Sequence, residues 1–396
     1  MDPIQNPFSP GAGSPPPELA GRDAILEKAK IALARIKQRR TERSFLFTGL
    51  RGVGKTVLLR QVEKLAKDAG YQVIFIEALD SRPLVTLLIL HLRELLFALD
   101  LKERVVKEVK RGFMVLQSFI KSLKLEAKYG DAELRLSVNP ETGTADSGKL
   151  EHDLPSLLEI MAEAAIARQT AIAIIIDEIQ YLSEKELSAL IMAIHRISQK
   201  SLPLILVGAG LPQLPRIAGD LKSYSERLFD FIKIDHLNEK DAITALQKPA
   251  IKEGAKFSTD AAREIVKKTK GYPYFIQEWG SQAWNISPSN LIDIQTARKA
   301  TKSSIAKLDE SFFRVRFDRL TPNEKKYLRA LADIPIKDRR SGNVAEKLGK
   351  ATQGASPARD SLIKKGMIYS QAHGETNFTV PMFDDFMKRT IPNSEK

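Results

Sequence analysis

Short apolar segments alternate with amphipathic segments along the first 237 residues of the chain. Five apolar runs predict buried strands, at residues 44–48, 71–77, 171–176, 203–207 and 231–234. Several segments between them repeat apolar residues with a helical period, for example over 23–40, 56–68 and 183–198. Short apolar strands that alternate with helices are typical of a parallel sheet covered on both faces. The predicted fold class is therefore α/β.

Two further regions follow this α/β domain, which we place at residues 18–237. Residues 238–317 have a helical pattern throughout and predict a helical domain. Residues 318–396, here called the C-terminal module, predict three short helices and then a two-stranded ribbon. The first of these helices has Thr321 as its cap and Pro322 in its first turn. Three helices followed by a ribbon are typical of a winged helix-turn-helix.

Two segments stand apart from these domains. The first 17 residues are rich in proline and predict an extended N-terminal arm. Between the second and third strands, within an insertion at about 100–150, apolar residues alternate with polar ones over 123–138 around Gly130-Asp131. Alternation around a two-residue Gly-Asp turn predicts a β-hairpin. Packing on the parent domain is its simplest role, and an oligomer contact or a DNA-facing element are the alternatives.

Composition and charge narrow the functional classes. The 396 residues include no cysteine, which excludes disulfides, thiolate zinc sites, iron–sulfur clusters and a cysteine nucleophile. The net charge of +13 raises the expectation of a polyanionic partner. The start of the chain has six prolines by residue 17 and no apolar run, unlike a signal peptide. No apolar run is long enough to span a bilayer, so a soluble cytoplasmic protein without a membrane partner is expected.

The strongest chemical signal follows the first predicted strand. Residues 49–56, GLRGVGKT, fit the pattern G-x-x-x-x-G-K-[ST] of a phosphate loop. Its glycines let backbone N–H groups point at phosphates, and the helix that begins there adds its positive end. In this chemistry Lys55 reaches the β- and γ-phosphates, and the Thr56 hydroxyl ligates Mg²⁺. The alternative interpretation of this segment is a glycine-rich turn without a phosphate-binding role.

A second signal ends the third predicted strand. The run AIAIII is followed directly by Asp177 and Glu178. An Asp at the end of a central strand can hold Mg²⁺, and the adjacent Glu can activate the attacking water. Alone, two acids after a strand are common, but the upstream phosphate loop favours the catalytic interpretation.

With these motifs the chain resembles the AAA+ and STAND branches of the P-loop ATPases. Glu18–Asp23 (ELAGRD) resembles the box that contacts adenine in archaeal replication-initiator ATPases of the Orc/Cdc type. Gly271-Tyr272-Pro273 is similar to the GxP motif of STAND proteins, whose proline packs near the base. The resemblance covers nearly the whole chain and implies an ASCE-type parallel sheet, a helical lid at 238–317 and a winged helix. It implies a nucleotide site formed by Leu19, Ala20, Gly21, Arg22, Gly49, Arg51, Gly52, Val53, Gly54, Lys55, Thr56, Val57 and Pro273.

Further catalytic groups are only partly visible. Arg227 lies just before the fifth strand, where related ATPases place an arginine finger that reaches a neighbouring subunit. A surface salt bridge is the alternative role. The fourth strand ends in Val207-Gly208-Ala209-Gly210 and has no polar sensor residue, and the segment after Gly271 lacks a sensor arginine. Gln277 is a weak substitute. These departures favour the STAND side and a slow switch.

The C-terminal module carries much of the excess charge. Residues 311–396 contain 17 Lys and Arg against 10 Asp and Glu, a net +7. A winged helix inserts its third helix into the major groove, and flanking basic residues meet phosphates. The candidate DNA contacts are Arg339, Arg340, Arg359, Lys364 and Lys365. Docking to a protein is the alternative.

Taken together, these signals predict a nucleotide-driven ATPase switch that uses ATP and Mg²⁺. The first expectation is association with double-stranded DNA through the C-terminal module and ATP-dependent homo-oligomerisation. The alternatives are a STAND-type signalling ATPase whose winged helix binds an unknown protein partner, and a nucleotide-binding protein with little turnover.

Overall fold

A five-stranded parallel sheet forms the centre of the α/β domain. The computed structural model describes residues 1–11, 13–78, 82–100, 106–124, 138–372 and 374–392. The strands lie side by side in the order β2-β3-β4-β1-β5. Their bounds are β1 Ser44–Thr48, β2 Gln72–Glu77, β3 Ile172–Asp177, β4 Leu204–Gly210 and β5 Phe229–Lys233. All five predicted strands are therefore confirmed, with shifts of at most three residues at their ends.

Helices cover both faces of this sheet. Along β3, Ile172, Ile174 and Ile176 pack into one core while the alternate residues pack into the other. A strand that is apolar on both faces must be buried on both, as the sequence predicts. One face is covered by α1 Asp23–Lys37 and α2 Lys55–Asp68. The other carries α3 Leu84–Asp100, α4 Lys107–Ser122, α5 Leu150–Ala167 and α6 Glu184–Gln199, and α7 Leu214–Leu221 and α8 Ser225–Leu228 lead into β5.

The predicted hairpin at 123–138 lies almost entirely outside the described residues. Of that segment, only Leu123, Lys124 and Val138 are described. Residues 107–122 of the insertion form α4, whose buried face includes Phe113, Leu116 and Phe119. The described part of the insertion thus packs on the parent domain through a helix.

The helical domain and the C-terminal module follow in chain order. The helical domain contains α9 Glu239–Lys252, α10 Thr259–Thr269, α11 Pro273–Ile286 and α12 Ile294–Leu308, with the short parallel pair β6 Lys256–Phe257 and β7 Leu291–Ile292. A π-helical segment, Asp309–Phe313, and α13 Arg314–Asp318 lead out of it. The module has α14 Pro322–Asp333, α15 Ser341–Lys347, α16 Thr352–Lys364, the antiparallel strands β8 Ile368–Tyr369 and β9 Asn377–Phe378, and α17 Phe383–Thr390.

The start of the C-terminal module follows its sequence signals. Thr321 caps α14, and its hydroxyl accepts a hydrogen bond from the backbone N–H of Glu324, whose carboxylate accepts one from Thr321 in return. This capping box satisfies two backbone donors that the first helical turn leaves free. The three helices and the ribbon have the order that the sequence predicts.

One continuous apolar core joins the helical domain to the C-terminal module. Phe313, on the π-helical segment, packs against Phe383 and Phe386 of the last helix, with ring centroids 5.7 and 5.3 Å apart. Phe317 meets the same Phe386 at 5.7 Å. The same core extends to Trp279 in the helical domain and Leu328 in the module. Contact across the expected boundary at 318 is therefore extensive and apolar.

The N-terminal arm is docked on the helical domain over much of its length. The Phe8 side chain is 5% exposed and meets the Phe257 ring edge-on, with centroids 6.1 Å apart. Asn6 donates to the carbonyl oxygen of Ser281 at 3.2 Å, and the Trp284 indole donates to the carbonyl of Asp2 at 2.8 Å. The prolines stiffen a segment that is fixed in place by these contacts.

None of the helices in the described part of the chain combines the length and apolarity needed to cross a bilayer.

Candidate nucleotide-binding site

The phosphate loop lies between the central strand β1 and the start of α2. Gly54, the last residue before the helix, has φ 91° and ψ 23°, and open space surrounds the position of a Cβ. This left-handed conformation favours glycine, since side chains disfavour it. At Gly49 a Cβ would come within 2.2 Å of the Ile234 carbonyl oxygen. The left-handed backbone thus favours glycine at Gly54, and the close approach of the Ile234 carbonyl favours it at Gly49.

Lys55 is buried at the mouth of this loop. Its ammonium donates to the carbonyl oxygens of Gly49 at 2.9 Å and Leu50 at 3.0 Å. Burial lowers the pKa of Lys55 to about 8, although the nearby carboxylates of Glu178 and Asp177 act in the opposite direction. A buried cation without an ion pair at contact distance is suited to receive an anion.

Thr56 and Asp177 meet directly. The Thr56 hydroxyl donates to Oδ2 of Asp177 at 2.6 Å, and Oδ1 of the same carboxylate accepts from the backbone N–H of Glu178 at 2.8 Å. Burial raises the pKa of Asp177, partly offset by the hydrogen bond from Thr56. A hydroxyl and a carboxylate side by side are oxygen ligands of the kind that Mg²⁺ uses.

Glu178 is held by a small polar network. Its backbone is left-handed, with φ 51° and ψ 38°, which is uncommon for a residue with a side chain and occurs at functional sites. The carboxylate accepts from the Arg51 guanidinium at 3.2 Å and also from the Gln180 amide. Arg51 further donates to the Tyr181 hydroxyl at 2.8 Å. The arginine of the phosphate loop thus positions the predicted catalytic acid.

Gln180 occupies the place beside the end of β4, where the sequence shows no polar sensor. Its Oε1 accepts from the backbone N–H of Leu211 at 3.2 Å. A Cβ at Gly210 would lie 2.8 Å from that same oxygen, so the strand needs glycine there. A polar side chain from the turn after β3 thus lies beside the end of β4. A Gln two residues after the acid pair is the sequence signal that could have indicated it.

A cavity of about 240 Å³ opens beside Lys55, Thr56 and Glu178, whereas Asp177 is not among its lining residues. Eleven of the thirteen predicted nucleotide-site residues line it: Leu19, Ala20, Arg22, Arg51, Gly52, Val53, Gly54, Lys55, Thr56, Val57 and Pro273. Glu178 and Gln277 line it as well, whereas Gly21, which is exposed, and Gly49, which is buried, do not. The structure therefore brings the separately predicted motifs together around one cavity.

The residues of the predicted adenine box have structural roles in addition to lining the cavity. The Arg22 guanidinium donates to the carbonyl of Asp235 at 2.6 Å and to that of Val53 at 3.3 Å. Burial lowers the pKa of Arg22. A Cβ at Gly21, where φ is 69°, would lie 2.5 Å from the Asp241 carboxylate. This box thus fixes the phosphate loop to the end of β5 and to the helical domain.

Two further walls of the cavity were missed by sequence reasoning. The N-terminal arm contributes Ser9, Gly11, Gly13, Ser14 and Pro16, and the backbone N–H of Ser9 donates to Gln277 at 3.2 Å. The segment after the helical domain contributes Phe312 and Arg316. Both walls reach the phosphate loop from far along the chain, so no local pattern indicated them.

Arg227 lies away from this cavity. Its side chain is exposed and lines a separate surface depression with His195 and Tyr224, whose rings stack at 4.4 Å. Arg227 has no direct role in the cavity of its own chain.

The C-terminal module touches the phosphate loop itself. The backbone N–H of Arg51 donates to the carbonyl of Thr379 at 3.0 Å. A Cβ at Gly366, where φ is 62°, would meet the Tyr181 hydroxyl at 3.0 Å and the Arg51 guanidinium at 3.2 Å. The module is therefore in direct contact with the loop in this conformation.

The five candidate DNA contacts differ in how accessible they are. Arg339 is 7% exposed and donates to the Asp384 carboxylate at 2.7 Å, so this side chain is structural here. Lys365 donates to the buried carboxylate of Glu324 at 2.7 Å. Arg359 is partly exposed and lies 3.5 Å from the carboxylate of its neighbour Asp360. Arg340 and Lys364 are exposed.

Metal-ligating clusters are otherwise lacking in the described segments. No group of three or more His, Asp or Glu side chains there is placed to hold a metal ion. Thr56 and Asp177 are the pair that fits a divalent cation, together with oxygens from a bound phosphate.

Comparison with known families gives two matches. Residues 18–207 match the family described as AAA ATPase domain. Residues 310–387 match a domain of unknown function (DUF8462). No curated protein was found to be similar to this chain.

Several solved structures resemble this chain at low sequence identity. The Walker-type ATPase PABY2304 of Pyrococcus abyssi is 16% identical, with a TM-score of 0.53 over 93% of this chain and 96% of that one. The Aeropyrum pernix Orc1 protein in complex with DNA is 14% identical, with a TM-score of 0.46 over 94% and 93%. The RuvB Holliday junction branch migration motor of Thermotoga maritima is 16% identical, with a TM-score of 0.44 over 94% and 96%. The first of these likenesses shows a common fold.

Proposed function

Because residues 18–207 match the AAA ATPase domain family, we propose that the protein binds ATP with Mg²⁺ and hydrolyses it to ADP and phosphate. The observation that carries the proposal is the direct contact of Thr56 with Asp177 beside the buried Lys55. Lys55, Thr56 and the candidate base Glu178 thereby line one cavity, and Asp177 is hydrogen-bonded to Thr56.

Each residue has a defined role in this proposal. The loop N–H groups and Lys55 bind phosphate oxygens, while the Thr56 hydroxyl and Asp177 would hold Mg²⁺, which would neutralise charge on the transferred phosphoryl group. Glu178 accepts a proton from the attacking water. In the present conformation Arg51 and Gln180 each donate to one oxygen of that carboxylate, which leaves acceptor sites for the attacking water.

Single-turnover hydrolysis tests the assignment of the base. We expect Glu178→Gln to slow hydrolysis by on the order of 10²–10⁴ while ATP still binds, since the amide cannot accept the proton. Glu77→Gln is the matched control, because Glu77 is an exposed acid that lies opposite Asp177 in the register of the adjacent strand. Equal rates for wild type and Glu178→Gln would remove Glu178 from the mechanism.

We further propose that nucleotide state acts on a macromolecular partner through the C-terminal module. The net +7 of residues 311–396 and the exposed Arg340 and Lys364 favour double-stranded DNA. Binding to duplex DNA should then fall steeply with salt, and Arg340→Glu with Lys364→Glu should weaken it. Absence of binding at low salt would refute the DNA partner.

A second candidate, signalling through a protein partner, is favoured by one observation. Arg339 and Lys365 form ion pairs within the module, which leaves fewer free cations on its surface than the sequence indicates. On this alternative, ATP drives assembly in the absence of DNA. Light scattering with ATP or ADP and no nucleic acid distinguishes the two.

A further inference from the structure

Arg316 is a cationic residue of the cavity that no sequence motif predicts. It lies on α13, the helix that follows the π-helical segment 309–313. A π-helix inserts an extra residue into a helix and is frequent at functional sites. Here it places Phe312 and Arg316 on the side that faces the cavity, where both form part of the wall.

The guanidinium of Arg316 is held by its own helix and has no carboxylate partner. It donates to the Phe312 carbonyl at 2.6 Å and lies 4.0 Å from the centre of the Phe312 ring. Among the ion pairs of the described residues, none involves Arg316. Burial lowers its pKa, and the nearby Arg51 lowers it further. The side chain is thus a half-buried cation with no anion to balance it.

Neighbouring contacts place Arg316 near Glu178, the proposed catalytic base. The Phe312 ring stacks on Tyr274 at 4.9 Å, and the backbone N–H of Tyr274 donates to the Gly52 carbonyl in the phosphate loop at 3.2 Å. Arg51, whose charge acts on Arg316, is itself bonded to Glu178. The adenine box and Pro273 form another part of the wall.

We propose that Arg316 binds the terminal phosphate of ATP and thereby makes the site distinguish ATP from ADP. The inference rests on the proposed function, and it assigns in cis the arginine that the segment after Gly271 lacks. The terminal phosphate of ATP supplies the anionic partner that the Arg316 guanidinium lacks in the described part of the chain. Because α13 leads directly into the C-terminal module, the third phosphate is bound by the connection between that module and the helical domain.

Nucleotide affinities of the full chain test this assignment. Titrations use MgADP and a Mg²⁺ complex of a non-hydrolysable ATP analogue. A charged hydrogen bond typically contributes about 1.5–3 kcal/mol, so we expect Arg316→Ala to weaken binding of the analogue roughly tenfold to hundredfold. Affinity for ADP should stay close to that of wild type. Arg314→Ala, an exposed arginine on the same helix, is the matched control and should change neither affinity.

The outcomes separate this inference from the function on which it rests. If Arg316→Ala loses affinity equally for both nucleotides, or for neither, the proposed role of Arg316 is overturned while the ATP site stands. Wild-type protein that binds neither nucleotide would refute the proposed function itself. Should Arg316→Ala fail to fold, Arg316→Lys keeps the charge without the planar fork. It should then weaken the analogue less than tenfold and leave ADP unchanged, and equal losses would again refute the role.

Discussion

Removal of the Phe8 side chain should release the N-terminal arm from the helical domain. Phe8 is 5% exposed and lies in a notch where α11 has Gly280. A Cβ at Gly280 would be 2.6 Å from the Phe8 ring, so the glycine makes room for it. The adjacent arm residues form one wall of the nucleotide cavity. Docking of the Phe8 side chain therefore determines whether this wall of the nucleotide cavity is present.

The size of the effect follows from burial. Truncation of a buried phenylalanine to alanine typically costs about 3–5 kcal/mol. Because the arm can detach without unfolding the core, this cost should appear mainly as local opening. A loss of about 3 kcal/mol shifts the docking equilibrium by roughly a hundredfold. Global stability should fall by no more than the docking free energy of the arm.

Hydrogen exchange measures this opening directly. We expect Phe8→Ala to lose amide protection over residues 4–11 by roughly a hundredfold, with α2 and α6 unchanged. Gly280→Ala should act similarly by displacing the ring, although alanine in a helix interior is normally favourable by about 1 kcal/mol. Ile4→Ala, which alters a 93% exposed residue, is the control. Unchanged arm protection in Phe8→Ala, or a more protected arm in Gly280→Ala, would refute this docking.

Two further predictions concern pH and assembly. Burial raises the pKa of Glu324, but hydrogen bonds led by that from Lys365 outweigh it and hold the pKa at about 2. A pKa below the unfolded value contributes stability above about pH 4.3 that is lost as pH falls towards 2. Urea unfolding should therefore show a clearly smaller stability deficit of Glu324→Gln relative to wild type at pH 3 than at pH 6. If Arg227 acts as an arginine finger on a neighbouring subunit, a mixture of Arg227→Ala and Lys55→Ala subunits should regain ATPase activity that neither variant has alone. No gain on mixing would rule out action of Arg227 between subunits.

The phosphate-binding half of the site was predictable because its information is local. A phosphate loop needs glycines and a lysine at fixed spacing, and Asp177 follows its strand directly. The sheet was equally accessible, since strands buried on both faces are apolar throughout. These features fix residue types within a few positions of each other. The structure brings Lys55, Thr56 and Asp177 together as that pattern requires.

The other half of the site depends on contacts between distant segments. Gln180 belongs at the end of β4 only because Gly210 leaves space for it, and neither residue predicts the other. The prolines of the N-terminal arm indicate stiffness, but its position depends on the notch at Gly280, far along the chain. Arg316 reaches the cavity through a π-helical segment whose extra residue has no clear sequence signature. Tertiary packing decides each of these placements.

The shared core implies that the helical domain and the C-terminal module respond to nucleotide as one body. Their interface is apolar and contains Phe313 and Phe317, whereas the module meets the phosphate loop through a hydrogen bond at Thr379 and the close approach of Gly366 to Arg51. Apolar cores resist relative movement, and polar contacts exchange more readily with water. Closure of the helical domain on ATP should therefore carry the module with it.

Spin labels can test this because the chain has no cysteine of its own. Exposed positions are available in the α/β domain at Lys64, in the helical domain at Ser303 and in the module at Lys347. We expect the distance between labels at Ser303 and Lys347 to stay constant when ATP is added. The distance between labels at Lys64 and Lys347 should change. A change between Ser303 and Lys347 would mean that the phenylalanine interface opens, and that nucleotide acts on the module by separating it from the helical domain.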